Sequence, residues 1–175
     1  MLRTRAFGYV ALFVTTALIA GCGRRTATIA DAFPRAAMAA PWVLAREVWN
    51  GSFAEAEAAL GPDADPWRMF GPQRVWLAVY RHEYEPHKKL TLRAFAFESR
   101  ERAREAYTYF RPLGGSDFKA GDAGCWTEVG VLFVWGRLVF EIFGWEGSWP
   151  SQVQAAVLAA FVQKHMPPGL PDEPL

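Results

Sequence analysis

Cysteine is scarce: the chain of 175 residues holds two, Cys22 and Cys125. Two cysteines make at most one bridge, so the fold rests on an apolar core and not on a disulfide framework. Cys-x-x-Cys does not occur, and no histidine lies near Cys125 in sequence. Cys125, beside Trp126, therefore reads as a small buried hydrophobe and not as a redox thiol or nucleophile. Basic charge is not in excess either, with 19 Lys plus Arg against 18 Asp plus Glu. Lacking a basic run as well, the chain is not expected to bind nucleic acid. The Gly-x-Ser-x-Gly nucleophile elbow is missing. No repeat of solenoid length is present. Apart from Ala6–Ala20, no uncharged apolar run comes close to the roughly 20 residues of a spanning helix.

The exception is informative. Arg3 and Arg5 precede Ala6–Ala20, whose Phe7, Val10, Leu12, Phe13, Val14, Leu18 and Ile19 make a signal-peptide-sized core. An uncleaved membrane anchor is the competing reading. The run ends in Ile19-Ala20-Gly21-Cys22. This resembles the lipobox of bacterial lipoproteins: an aliphatic residue, a small residue, Gly or Ala, then Cys. The resemblance implies cleavage before Cys22, a thioether-linked diacylglycerol on Cys22, and acylation of the new N-terminus. One acyl chain binds a bilayer marginally, whereas two or more hold. Arg24 and Arg25 add attraction to anionic headgroups. Gly23 stands where inner-membrane lipoproteins usually carry Asp, so the resemblance favours the outer membrane if the cell has one. The expected location is the cell envelope, facing the periplasm or the exterior.

Without residues 1–21 the chain has 17 basic and 18 acidic residues, a net charge near −1. Residues 22–33 read as a tether, 34–166 as a single domain, and 167–175, with four of the twelve prolines, as an irregular tail. Ser52 and Glu55 form a capping box that opens a short helix ending at Gly61-Pro62. The preceding WVLAREVW, 42–49, is open between strand and helix, and DPWRMF, 65–70, can add one turn. Residues 73–85 alternate as a strand with apolar residues on both faces, turn at Pro86, and return as 90–98. Ser99 caps a helix through Phe110 with Ala103, Ala106, Tyr107 and Phe110 on one stripe. A glycine-rich loop, 113–124, leads to strands at 125–129, 131–135 and 138–145, the last two joined by a tight Gly136-Arg137 turn. A final helix begins at Ser148 or Trp149, with Val153, Val157, Phe161 and Met166 assigned to its core side. This order predicts an α+β fold: a single antiparallel sheet of about five strands with helices on one face.

Candidate chemistry is sparse. His82, Glu83, Glu85 and His87 cluster in sequence, but residues five apart on a strand point to opposite faces. Gly114-Gly115-Ser116 follows a helix, the wrong polarity for a phosphate loop. Asp117 and Asp122 in a Gly/Asp loop are a weak cation candidate. No catalytic residue, metal or cofactor is assigned. Eight Trp and thirteen Phe serve mainly as core, at roughly 150–250 Å² each. Trp145 and Trp149 are the exception, being expected on a loop. With Asp117, Phe118 and Asp122 they form the candidate binding surface.

The runs LRAFAFESRERAREAYTYF and GVLFVWGRLVFEIF, with the Gly-rich loop between them, resemble a group of uncharacterised bacterial secreted or lipid-anchored α+β proteins over residues 73–166. The resemblance implies fold and carries no activity. The expected function is a non-enzymatic binding or assembly module at the membrane, with an envelope protein or a glycan as partner. A carrier of an apolar ligand, and a hydrolase or metal-dependent enzyme of unfamiliar type, are the alternatives.

Overall fold

A computed structural model describes residues 28–35, 41–144 and 149–172. Cys22, Trp145 and the last three residues of the tail lie outside the described residues. The described chain is α+β, built on one antiparallel sheet of seven strands. Its strands are β1 (Trp42–Leu44), β2 (Trp49–Ser52), β3 (Arg74–His82), β4 (Lys89–Ala96), β5 (Ala123–Trp126), β6 (Gly130–Trp135) and β7 (Leu138–Gly144). Its helices are α1 (Phe53–Leu60), α2 (Asp65–Arg68), α3 (Arg100–Phe110) and α4 (Trp149–His165). The strand order is β1-β3-β4-β7-β6-β5, and β2 also pairs with β3.

The sheet has seven strands where five were expected because the ambiguous stretch 42–49 supplies the start of two short ones. Trp42 pairs with His82 and Trp49 with Leu77, so β1 and β2 share the same neighbour, β3. The bend between them explains why that stretch showed no single period.

Helices cover both faces of the sheet, which corrects the one-face expectation. The reason lies in the strands. In register, Ala78, Leu92, Ile142 and Val131 cross the sheet on one face. Val75, Phe95, Val139 and Val134 cross it on the other. Every one of these eight residues is buried. A sheet apolar on both sides needs two covers. On the first face α4 packs Ala155, Leu158, Ala159 and Val162 against Phe133 and Phe140. On the second, α1, α2 and α3 pack Ala56, Trp67, Ala103 and Ala106 against Phe95 and Leu132. Trp67 lies stacked between Phe95 and Phe110, with ring centres 3.8 and 4.0 Å away.

Local signals explain the element ends. Ser52 Oγ accepts the Glu55 N–H, and the Glu55 carboxylate accepts the Ser52 N–H at 2.7 Å, closing the capping box. The Ser52 hydroxyl, donating to Glu55 Oε2 at 2.8 Å, and then the Ser52 N–H hold the Glu55 carboxyl below the usual carboxylate range. Ser99 Oγ accepts from Arg102 N at the start of α3. Gly136 adopts φ 58° in the β6–β7 turn, a conformation that favours glycine.

Two boundaries differ from the sequence reading. Ile29–Ala32 forms a 3-10 turn, and Ile29, Ala32 and Phe33 are buried in the same core as α4. The described part of the expected tether therefore belongs to the domain. Tyr80 Oη secures it by donating to the Pro34 carbonyl at 3.0 Å. In the tail, Leu170–Asp172 makes a 3-10 turn whose Pro171 carbonyl accepts the Arg137 N–H at 2.8 Å.

A further correction concerns α4. Val153 and Val157 are not core residues: they are 36 % and 51 % exposed, and Phe161 is half-buried. The core stripe is Ala155, Leu158, Ala159 and Val162, with Met166 just beyond the helix. Both stripes are apolar, so periodicity alone did not distinguish them.

Candidate functional site

The loop 113–124 is a folded structure of its own. Asp117 forms a β-bridge with Cys125. Phe118 N–H donates to Gly124 O at 2.9 Å, and Asp122 N–H donates to Val134 O at 2.8 Å. Two glycines are demanded by closeness. A Cβ on Gly121, which also has φ +54°, would collide with the Val134 carbonyl, and one on Gly124 would lie 2.7 Å from the Phe118 carbonyl. The glycine-rich sequence reflects this tight path.

The loop borders an open cleft of about 580 Å³. Among its lining residues are Tyr107 from α3, Arg111 at its C-cap, Asp117, Phe118 and Asp122 from the loop, and Gln163 from α4. The structure thus brings together Asp117, Phe118 and Asp122 of the candidate surface. Trp145 lies outside the described residues, as does the side chain of Trp149, whose backbone opens α4. Tyr107, Arg111 and Gln163 were not singled out for this site. No linear signal marks them, because two separate helices, α3 with its C-cap residue and α4, deliver them.

Most of the cleft's polar groups are engaged with one another. Arg111 donates to Asp117 Oδ1 at 2.7 Å and to the Gly115 carbonyl at 3.4 Å. Asp117 is mostly exposed, so this pair is screened and contributes little to stability. Asp122 Oδ2 accepts the Gly136 N–H at 2.8 Å and so fastens the loop to the β6–β7 turn. Gln163 Oε1 accepts the Gly121 N–H at 3.0 Å and fastens it to α4. Phe118 is half-buried and meets Trp126 edge-on at 5.1 Å.

Below the cleft lie Tyr107 and Cys125, both buried. The Tyr107 hydroxyl makes no well-formed hydrogen bond among the described residues, and its electrostatic neighbour is the Cys125 thiol. Burial, followed by that thiol, pushes the phenol up to about 12. Burial also pushes the Cys125 thiol up, against an opposing hydrogen-bond contribution from Tyr107. Neither group ionises near neutral pH, so neither is a ready nucleophile. Cys125 should therefore resist a bulky disulfide reagent in the native protein and react stoichiometrically in denaturant. Rapid native labelling of Cys125, followed by mass spectrometry, would contradict this placement.

A Ser-x-x-Lys spacing, Ser116 to Lys119, also runs through the loop and escaped the sequence reading. Residues three apart share a face on a helix. This segment is not helical, and Asp117 in its middle is held in the bridge to Cys125. The spacing therefore does not by itself bring serine and lysine together.

The other clusters have structural roles. His82 packs edge-on against Trp42 at 5.2 Å, and its Nδ1 accepts the Glu85 N–H at 3.1 Å. Glu85 is bound by Lys88 at 2.7 Å, and that hydrogen bond holds its carboxyl low. Arg93, in the middle of β4, is buried between Asp63 at 2.7 Å and Glu141 at 3.4 Å, with its guanidinium over the Phe143 ring at 4.7 Å. Burial pushes the Glu141 carboxyl up, and Arg93 opposes the shift. Among the described residues, no group of three or more His, Cys, Asp or Glu is placed to hold a metal ion. Among them too, no helix is long and apolar enough to cross a membrane.

Comparisons with protein-family models, with curated proteins and with solved structures find no match to this chain.

Proposed function

We propose that this chain is a lipid-anchored protein of the bacterial envelope whose domain is a non-enzymatic binding or assembly module. The observation that carries the reading is the sequence Ile19-Ala20-Gly21-Cys22 behind an Arg-flanked apolar core. Diacylglycerol on Cys22 would hold the domain at a membrane surface, facing the periplasm or the exterior. The binding half of the reading is supported by how the cleft is built. The carboxylates of Asp117 and Asp122 are committed to Arg111 and to a backbone amide, which shape a surface and leave little poised for proton transfer. The aromatics described above fill two cores, which favours a packed module over a carrier with an internal cavity. An envelope protein or a glycan meeting the cleft at Asp117, Phe118 and Asp122 is the partner class proposed.

The anchor is tested by expressing the full chain and the Cys22→Ala variant and separating membranes from soluble extract. The wild type should sediment and float with membranes and should take up radiolabelled fatty acid. The variant should lose the label, and most of the mature-sized protein should leave the membrane fraction. Wild-type protein that takes up no fatty-acid label, or a Cys22→Ala variant that keeps it, refutes the anchor.

A further inference from the structure

Helix α4 is apolar on two opposite sides. Its inner side packs on the sheet. Its outer side carries Val153, Val157, Ala160 and the half-buried Phe161. A helix that is hydrophobic all round is normally covered all round. The polar groups that could have covered this one turn toward the domain instead. Gln152 donates to the carbonyls of Thr127 and Glu128 at 2.8 and 2.9 Å. Gln154 Oε1 accepts the Trp42 indole N–H at 3.0 Å, and Gln163 is bound to Gly121. The helix contains no Asp or Glu, and its charged or titratable residues are Lys164 and His165 at its C-terminal end. On the opposite layer, the outer side of α3 is densely charged, with Glu101, Arg102, Arg104 and Glu105 all exposed.

The chain's entry point indicates what covers α4. The described domain starts at Thr28, and Ile29–Phe33 pack in the same core layer as α4. Cys22 lies six residues before Thr28, a reach of about 20 Å when fully extended. The acyl chains proposed for Cys22 would therefore keep the α4 layer close to the bilayer.

We propose that the outer face of α4 lies on the anchoring bilayer. Val153, Val157 and Ala160 enter the boundary between headgroups and acyl chains, and Lys164 contacts anionic headgroups. This rests on the proposed lipidation of Cys22. The face orients the domain on the membrane and turns the charged outer side of α3 away from it.

The test uses the full lipidated chain in vesicles of phosphatidylethanolamine and phosphatidylglycerol. A nitroxide is placed at Val157→Cys, and a control at Tyr109→Cys, an exposed site on α3. Collision with oxygen, which favours lipid, is compared with collision with a soluble nickel chelate. The oxygen-to-nickel ratio should be severalfold higher at 157 than at 109, and Val153→Asp should lower it at 157 without moving the thermal midpoint. Equal ratios at both sites, in protein that floats with the vesicles, overturn the face and leave the anchor standing. Spin–spin broadening at 157 that fades on dilution with unlabelled protein assigns the face to a second copy and also overturns it. Failure to float refutes the anchor, and the face proposal falls with it.

Discussion

Gly130→Ala is expected to lower stability by about 2–4 kcal/mol, among the largest effects of any single methyl group in this domain. Gly130 opens β6 opposite Phe143 of β7. A Cβ there would overlap the Ile142 carbonyl and approach the Phe143 Cα at 2.8 Å. Those are backbone atoms, and β7 is an interior strand paired with β4 on one side and β6 on the other. It cannot yield without disturbing both ladders. The turn before β6 is equally fixed, since Gly130 O accepts the Thr127 N–H at 2.9 Å. Calorimetry should show the midpoint falling by roughly 5–15 °C at this chain length. Gly114 is the control: its φ is +73° but nothing lies within 4 Å of its would-be Cβ. Gly114→Ala should lose only about 1 kcal/mol, the conformational part alone. If the two variants melt alike, the close contact between β6 and β7 is not what fixes Gly130.

Arg93→Met should destabilise the domain by about 3–5 kcal/mol at neutral pH, the usual result of breaking a buried ion pair from one side. Leu77, Arg93, Glu141 and Leu132 form one row across the sheet, so two charged residues sit in an otherwise apolar row. Asp63 is about half exposed and can turn to water once Arg93 is gone, but Glu141 sits within the sheet. The pH dependence follows from Glu141. Its folded-state pKa is raised above the unfolded value, so its protonated form suits the fold. That contribution is fully present below the unfolded pKa and is lost as pH rises through the folded pKa. Removing Arg93 takes away the opposing positive charge and raises the folded pKa further. The deficit of Arg93→Met should therefore be small near pH 4, around the ordinary carboxylate range, and largest at neutral pH. Urea unfolding at both pH values measures it. Adding Glu141→Gln should restore most of the loss at neutral pH. An equal deficit at both pH values, with no rescue by Glu141→Gln, would assign the effect to lost packing of the arginine stem.

The sequence made some of this visible and concealed the rest for physical reasons. Hairpins and helix starts were legible because their causes are local: Ser52 and Ser99 as caps, Gly136-Arg137 as the turn, alternation in β3. The split of the core between two faces was half legible. β3 is apolar on both sides, which already requires cover above and below, yet the order of elements suggested a single layer of helices. The orientation of α4 was not legible, since Val153 and Val157 compete with Leu158 and Val162 and only the sheet decides between them. The Arg93 cluster was hidden because an isolated arginine in a strand reads as solvent-facing, and Asp63, its nearest partner, lies 30 residues away. The cleft was legible only as its loop. Asp117, Phe118 and Asp122 stood out, while Tyr107 read as core and Gln163 as an ordinary helix residue.

The Asp117–Cys125 bridge also governs whether copies of this domain can join edge to edge. An open sheet border with unpaired amides invites strand addition between neighbouring molecules. Along the outer side of β5, Ser116 O accepts the Trp126 N–H at 3.0 Å and Phe118 donates to Gly124. The loop thus occupies the hydrogen-bonding positions a neighbouring chain would need. At the far border β1 and β2, three and four residues long, divide the side of β3 between them. Among the described residues neither border offers a long straight row of free groups, so the domain can be concentrated without its sheets fusing into a common ribbon.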